Sequence, residues 1–525
     1  MSSKSSLLKP LRHLLQSHSL AAYLVPSNDP HLSEYVSTYH ERRGWVSGFL
    51  GSAGVALIWQ WDRIGMRGAA SDEEQKSLPG AFLWTDSRYT LQAQQELDLS
   101  HWQPMIYPHP QPNYPEWLER YGPMVRQWIH EEHAETPQSK PKIGIDPQLI
   151  TLKEYRQLSE KLSSAGFELV LLAQNLVDQL WTENRPPMPH EPIITLPQNF
   201  SGRSVGDKLK AVRHTMRQKG CQYMITGMLD EIAWLLNVRG SDISYNPVFL
   251  SYCVISLDEG VTLYVADNDG KRLSQNGVHE HLEKEQVRVR PYDKFLDDLS
   301  TELKVEDTKG NNNTVSPTRI WISPESTNMA TYTAITKSLP SAEKSQHERY
   351  IHEEDSYIEK LKAIKNDTEI QGFRDCNIRD GSALCKFFAW LEHQLVVEKN
   401  TTITEVSAAQ KLLEFRRQQP LFVSESFAPI VGYGSNGAIV HYHAREGKCA
   451  ALGTNSMLLL DSGGQYKDGT TDTTRTMHFG TPTQEEVENF TRVLKGHIAM
   501  DDFVFPDGAL GGLQLDIVAP PFFWG

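Results

Sequence analysis

Cysteine is scarce in this chain: Cys221, Cys253, Cys376, Cys385 and Cys449 are the only five among 525 residues, widely spaced and without a C-x-x-C pair. An odd, dispersed set of thiols argues against a disulfide framework or a cysteine-based zinc finger, and suits a reducing compartment. No apolar run approaches the roughly 18 residues of a membrane span. Basic residues are in deficit, Lys+Arg 52 against Asp+Glu 66 for a net charge of −14. That balance argues against nucleic acid, whose affinity comes from clustered Lys and Arg. There is no GxxxxGK[ST], so a P-loop ATPase is excluded. The first 28 residues lack Asp and Glu but carry no continuous apolar stretch; Leu7 to Leu20 reads as an amphipathic helix rather than a targeting segment. The expectation is a cytoplasmic protein with no membrane and no nucleic-acid partner.

Apolar material is plentiful. Hydrophobic residues make up 39%, with 12 Trp, 19 Tyr and 18 Phe, enough for sizeable cores. At about 150 residues each, some three domains are expected. Thr182 to Pro197 holds five prolines and marks one boundary. A polar stretch, Lys304 to Ser316, reads as a surface loop, and the charged run Ser345 to Asp355 precedes a new helical pattern. The expected domains are residues 1–183, 198–350 and 356–525. The first two echo each other: Trp45 to Ser52 and Trp234 to Ser241 share W-x-x-x-[F/V]-x-G-S, and Trp234 follows Trp45 by 189 residues, as Gly240 follows Gly51. A β-rich stretch follows each copy, which points to duplicated α/β domains ahead of an α+β segment.

Two catalytic-looking patterns fail on context. Gly202-Arg-Ser204-Val-Gly206 fits a nucleophile elbow, but a loop precedes it and a helical stripe follows, so Ser204 with Asp207 reads as a helix cap. His130 and His133 stand three apart where a zinc helix needs four, and read as a solvated helix end. The stronger signal is Met457-Leu-Leu-Leu-Asp461-Ser-Gly-Gly-Gln-Tyr-Lys-Asp468-Gly-Thr-Thr-Asp472. An apolar strand runs into Asp461, and Thr470, Asp472 and Thr474 alternate onto one face. Carboxylates inside strands are unfavourable unless paired or metal-bound; a solvated hairpin is the other reading. A turn at Asp468-Gly469 would set Asp461 opposite Thr476, and a shared metal would then need a bend near Gly463-Gly464. In Gly432 to His443, strand alternation would place His441 and His443 on one face, either as ligands or as half-exposed strand histidines.

These residues resemble the cytosolic-type X-prolyl aminopeptidase family. The resemblance rests on Asp461 to Pro482, Val493 to Ala499, Asn436 to His443, Glu414 to Gln419 and Leu229 to Tyr252, with Ala21 to Tyr35, Arg42 to Ile58 and Leu83 to Ala93 near the start. It implies an α/β and α+β architecture: two creatinase-like N-terminal domains followed by a pita-bread catalytic domain, here incomplete. It also implies removal of the residue before a proline, two bridged Mn2+ ions, Xaa-Pro peptides as partners and a homodimer. Asp461 and Asp472 match the family's metal aspartates, His441 its substrate histidine and Arg88 the N-terminal-domain arginine that reaches substrate. Two metals sharing carboxylates suit hard oxygen ligands and acidify water.

The family's centre resembles two Asp, one His and two Glu, the last three in HGTGHG-, DEPGYY- and EN-type stretches that do not occur here. Ile517 to Gly525, with Pro520-Pro521, also departs from the family. The expectations are a C-terminally truncated chain, an incomplete and inactive metal site and apolar faces left exposed. The rival is a non-catalytic creatinase-fold binding protein.

Overall fold

The computed structural model describes residues 7–65, 77–108, 110–133, 140–267, 270–303, 305, 307–309, 315–340, 347–506 and 518. The chain forms two compact units, Met1–Cys376 with Gln465–Thr470, and Asn377–Gly464 with Thr471–Gly525. Pro520-Pro521 and nearly all of the divergent tail lie outside the described residues.

The first unit is built on two six-stranded sheets. The first comprises β1 (Ala22–Pro26), β2 (Val55–Ile64), β3 (Leu78–Asp86), β4 (Trp102–Tyr107), β5 (Lys142–Ile145) and β6 (Glu168–Leu171), in the order β4-β3-β2-β1-β5-β6. The second comprises β7 (Cys221–Thr226), β8 (Ser251–Ser256), β9 (Val261–Val265), β10 (Val287–Pro291), β11 (Arg319–Ile322) and β12 (Ile351–Glu353), in the order β10-β9-β8-β7-β11-β12. The senses agree strand for strand: β2 and β8 alone run against their neighbours. This is the duplication that the W-x-x-x-[F/V]-x-G-S echo anticipates. The short central strand β1, AYLVP, is buried along its whole length, so it needs no polar alternation.

Helices flank the sheets for local reasons. Helix α1 (Leu8–Ser17) buries Leu8, Leu11 and Leu15 along one stripe, as the sequence suggests. Helix α2 (Tyr114–His133) ends with His133 stacked on Trp61, 4.5 Å between ring centroids. Helix α3 (Leu152–Ser164) starts in a capping box in which Thr151 and Glu154 exchange hydrogen bonds. Helix α4 (Val205–Gln218) has Ser204 as its N-cap, accepting from the Asp207 N–H at 3.1 Å, which disposes of a nucleophile elbow. The two sheets share one hydrophobic cluster that joins Trp59, Trp84 and Ile150 to Tyr252, Phe295 and Ile320. Polar bonds cross the same seam: Asn328 Nδ2 donates to the Pro30 carbonyl at 2.7 Å, and His31 lies between Gly227 and Tyr292. Part of the polar loop expected at 304–316 is strand, since Asp307–Lys309 pairs antiparallel with Val315–Pro317; β-branched Thr308 and Val315 favour that geometry.

The second unit packs Phe387 and Leu391 of helix α5 (Asp367–Glu392) and Leu412 of helix α6 (Glu405–Arg417) against Leu458 and Leu460. Its antiparallel sheet is β13 (Ile430–Tyr433), β14 (Met457–Ser462) and β15 (Thr473–His478), with β14 in the middle. Helix α7 (Gln484–Asp501) leaves Val487, Phe490, Leu494 and Ile498 exposed, so the apolar face expected from the sequence is present.

Candidate active site

Strand β14 alternates strictly. Leu458, Leu460 and Ser462 face the core, which turns Asp461 to the opposite, half-buried side. Across the ladder Asp461 pairs with Thr474, whose hydroxyl donates to Asp461 Oδ1 at 2.7 Å. Asp472 lies just ahead of β15 and outside any strand, so the Thr470, Asp472 and Thr474 alternation expected from the sequence is not formed there. The two carboxylates are close enough to interact: the Asp472 carboxyl is raised above its ordinary range, by desolvation first and by the Asp461 charge second. The structure therefore brings these two acids together.

The turn between them differs from the expectation. Gln465 pairs with Thr470 and Tyr466 with Gly469, so the turn residues are Lys467-Asp468. Asp461 accordingly faces Thr474 instead of Thr476. The reason is packing. A Cβ at Gly469 would lie 2.6 Å from Cys376 Sγ, so this glycine serves close approach within the ladder and not the turn. A Cβ at Gly463 would lie 2.0 Å from the Thr471 carbonyl oxygen, and the strand break falls at that residue.

His441 and His443 do not share a strand face. After β13 the chain makes a 3-10 turn, Gly434–Ala438, and continues without strand structure, leaving His441 half-buried and His443 exposed. The cause is Glu405, fully buried at the start of α6. Its carboxyl accepts from the Tyr433 N–H (2.8 Å), the Ala450 N–H (2.8 Å), Asn436 Nδ2 (3.0 Å) and the Tyr442 hydroxyl (2.7 Å). The loop bearing His441 is thus gathered around one acid. Sequence reasoning passed over Glu405, because an acid after a Thr N-cap reads as an ordinary helix start. It also passed over Asp380, which holds Arg416 through two bonds of 2.8 and 2.9 Å, while Arg416 Nη2 donates to Ser462 beside Asp461. Arg416 and Asp380 are both buried, and Arg416 lies in the quoted motif Glu414 to Gln419.

Arg88 belongs to the first unit, on the turn Ser87–Tyr89 that ends β3. Asp86 grips its Nε and Nη2 at 2.8 Å each, and this pairing raises the guanidinium's pKa.

Asp461 and Asp472 offer oxygen donors of the kind hard divalent cations prefer, and a cation would relieve their mutual repulsion. Among the described residues no group of three or more His, Cys, Asp or Glu side chains could hold a metal ion. The pair fits part of a divalent site and not a complete set for two ions.

The comparisons with known proteins agree with one another. Models of the creatinase/prolidase N-terminal domain match residues 8–180 and 184–369, and that of metallopeptidase family M24 matches 371–519. A probable Xaa-Pro aminopeptidase P of Botryotinia fuckeliana is 39% identical over 521 residues, 98% of this chain and 71% of the relative. One from Pyricularia oryzae is 39% identical over 526 residues, 99% of this chain and 76% of the relative. The chain belongs to the Xaa-Pro aminopeptidase P family. It is thereby an enzyme of the metallopeptidase class, with two creatinase-type domains ahead of the catalytic one. The crystal structure of X-prolyl aminopeptidase from Caenorhabditis elegans, described as a cytosolic enzyme with a di-nuclear active site, superposes with a TM-score of 0.83 at 31% identity, covering 100% of this chain and 77% of that one. The matches run along almost the whole chain and lend no support to the expected truncation, to inactivity or to a purely binding role. Among the described residues no helix is long and apolar enough to cross a membrane.

Proposed function

We infer that this protein removes the N-terminal residue from peptides whose second residue is proline, with Asp461 and Asp472 as carboxylate ligands to divalent metal, Mn2+ in the first instance. The observation that supports the reading is that Asp472, just ahead of β15, lies close enough to Asp461 on β14 for one charge to perturb the other. When a divalent ion is bound there, it supplies Lewis-acid polarisation of a peptide carbonyl and acidifies water. The chain's own residues position and orient. Thr474 holds Asp461 by its hydroxyl, and the Arg416–Asp380 pair holds the end of β14 through Ser462. His441, on the loop gathered by Glu405, contacts the substrate near its scissile carbonyl. Arg88, fixed by Asp86 through Nε and Nη2, uses its remaining Nη1 to donate to a peptide carbonyl. The relative from C. elegans, a cytosolic enzyme, supports a cytoplasmic setting, and family resemblance supports a homodimer.

Calorimetric titration with Mn2+ tests the ligand assignment. Binding should be lost in Asp461→Ala and in Asp472→Ala, with unchanged secondary structure because neither carboxylate is part of the core. Undiminished Mn2+ affinity in either variant contradicts the assignment.

A further inference from the structure

A cleft of about 940 Å³ opens in the first unit and is lined by residues of that unit alone. Its walls come from Pro26 and Asn28 at the end of β1, Trp84 and Arg88 at the end of β3, Tyr107 at the end of β4 and Ile145 at the end of β5. The cleft therefore lies beyond the carboxyl ends of the co-directional strands. In the sheet order the chain leaves β1 for β2 on one side and returns as β5 on the other, so the β1/β5 junction is a topological switch point. Open α/β sheets bind ligands at that place, and the volume is that of a ligand site.

The lining specifies the ligand's chemistry. Trp84, Tyr107, Tyr114 and Leu149 give apolar and aromatic surface. Ser27, Asn28 and Asn113 add the small hydroxyl and amide groups that pair with a peptide main chain. Five glutamates face the cleft against two cations, Arg88 and Lys161. Both cations are already engaged, Arg88 by Asp86 and Lys161 by Glu119 at 3.4 Å. Glu154 closes the cap of α3. The excess negative charge at the rim therefore rests on the exposed Glu34, Glu116 and Glu160.

We propose that this cleft of the first domain is a peptide-binding exosite for short basic segments with apolar side chains. It shares Arg88 with the function inferred above but requires neither Asp461 nor Asp472, so it stands whether or not that reading holds. A peptide held there is bound by its interior and not by its N-terminus.

Fluorescence anisotropy with the intact protein in EDTA tests this. The probe is an N-acetylated, dye-labelled Lys-Leu-Lys-Tyr-Lys peptide, which has no free N-terminus for an aminopeptidase to take. It should bind, more weakly as salt rises, while the matching Glu-Leu-Glu-Tyr-Glu peptide should not. Replacing the three rim acids together (Glu34→Gln, Glu116→Gln, Glu160→Gln) should weaken binding roughly tenfold, a fraction of a decade to each exposed charge. If that variant melts earlier than the parent, Glu34→Gln and Glu160→Gln are read singly, each expected to weaken binding. No binding, equal affinity for both peptides, an unchanged variant, or spermine binding as tightly as the peptide would each overturn the proposal.

Discussion

At the scale of single residues, the buried acid Glu405 does more for the candidate site than its sequence context suggests. Four donors converge on its carboxyl, two of them main-chain N–H groups that would otherwise be left without acceptors as the chain turns after β13. Hydrogen bonds to ionised groups are worth roughly 1.5–3 kcal/mol each, and the loss of a shared buried acceptor is not repaired locally. Glu405→Ala should therefore lower stability by about 3 kcal/mol or more, measured by chemical denaturation. Glu405→Gln, which keeps an acceptor oxygen, should cost clearly less. Equal losses in the two variants would mean that the loop carrying His441 is held by something else. Tyr442 shows the same environment: burial foremost, then its bond to Glu405, raises its phenol well above the ordinary range.

At the scale of elements, the sequence discloses the duplication, because a tryptophan–glycine–serine spacing that recurs before a strand reflects one helix-to-strand corner used twice. It discloses α1 through the Leu8, Leu11 and Leu15 stripe, and the strand leading to Asp461 through four apolar residues in a row. The sheet orders are not legible in this way, since β1 beside β5 and β7 beside β11 pair residues far apart in the chain. The hairpin turn is misplaced by one residue because Asp-Gly is a strong local turn signal, whereas the position of Gly469 is dictated by contact with Cys376, which local pattern cannot show. Likewise Ala438-Ile-Val-His441 has strand character by propensity, yet Asn436 and Tyr442 are drawn to Glu405, and tertiary hydrogen bonding outweighs propensity. Asp461 is recognisable as a candidate because an apolar strand runs into it, whereas Asp472, expected within a strand, lies just ahead of β15. Their mutual influence becomes visible only once the register is known.

At the scale of the whole molecule, the first unit behaves as one body because its two sheets share a core and a polar seam. His31 sits in that seam, Nδ1 2.9 Å from the Gly227 carbonyl and Nε2 2.7 Å from the Tyr292 hydroxyl. The carbonyl can only accept, so Nδ1 donates to it, and in the neutral ring Nε2 is the acceptor that faces the Tyr292 hydroxyl. Burial lowers the His31 pKa, against the opposing influence of Asp29 and Asp242. The folded state thus takes up a proton less readily than the unfolded chain. The stabilisation is complete above the ordinary histidine pKa of about 6.5 and declines as pH falls below it. Thermal melts of the protein should lose more stability between pH 7.5 and 5.5 than those of His31→Gln, whose amide reproduces a donor and an acceptor without titrating. Parallel pH profiles would contradict that role.

The most direct test of the central claim is release of the N-terminal residue from Ala-Pro-Ala and from Ala-Ala-Ala by the protein with added Mn2+, alongside Asp472→Ala. The account predicts metal-dependent release from the proline peptide, little from the alanine peptide and none in the variant. Release from both peptides alike, release that survives in Asp472→Ala, or no metal-dependent release from folded protein would contradict it.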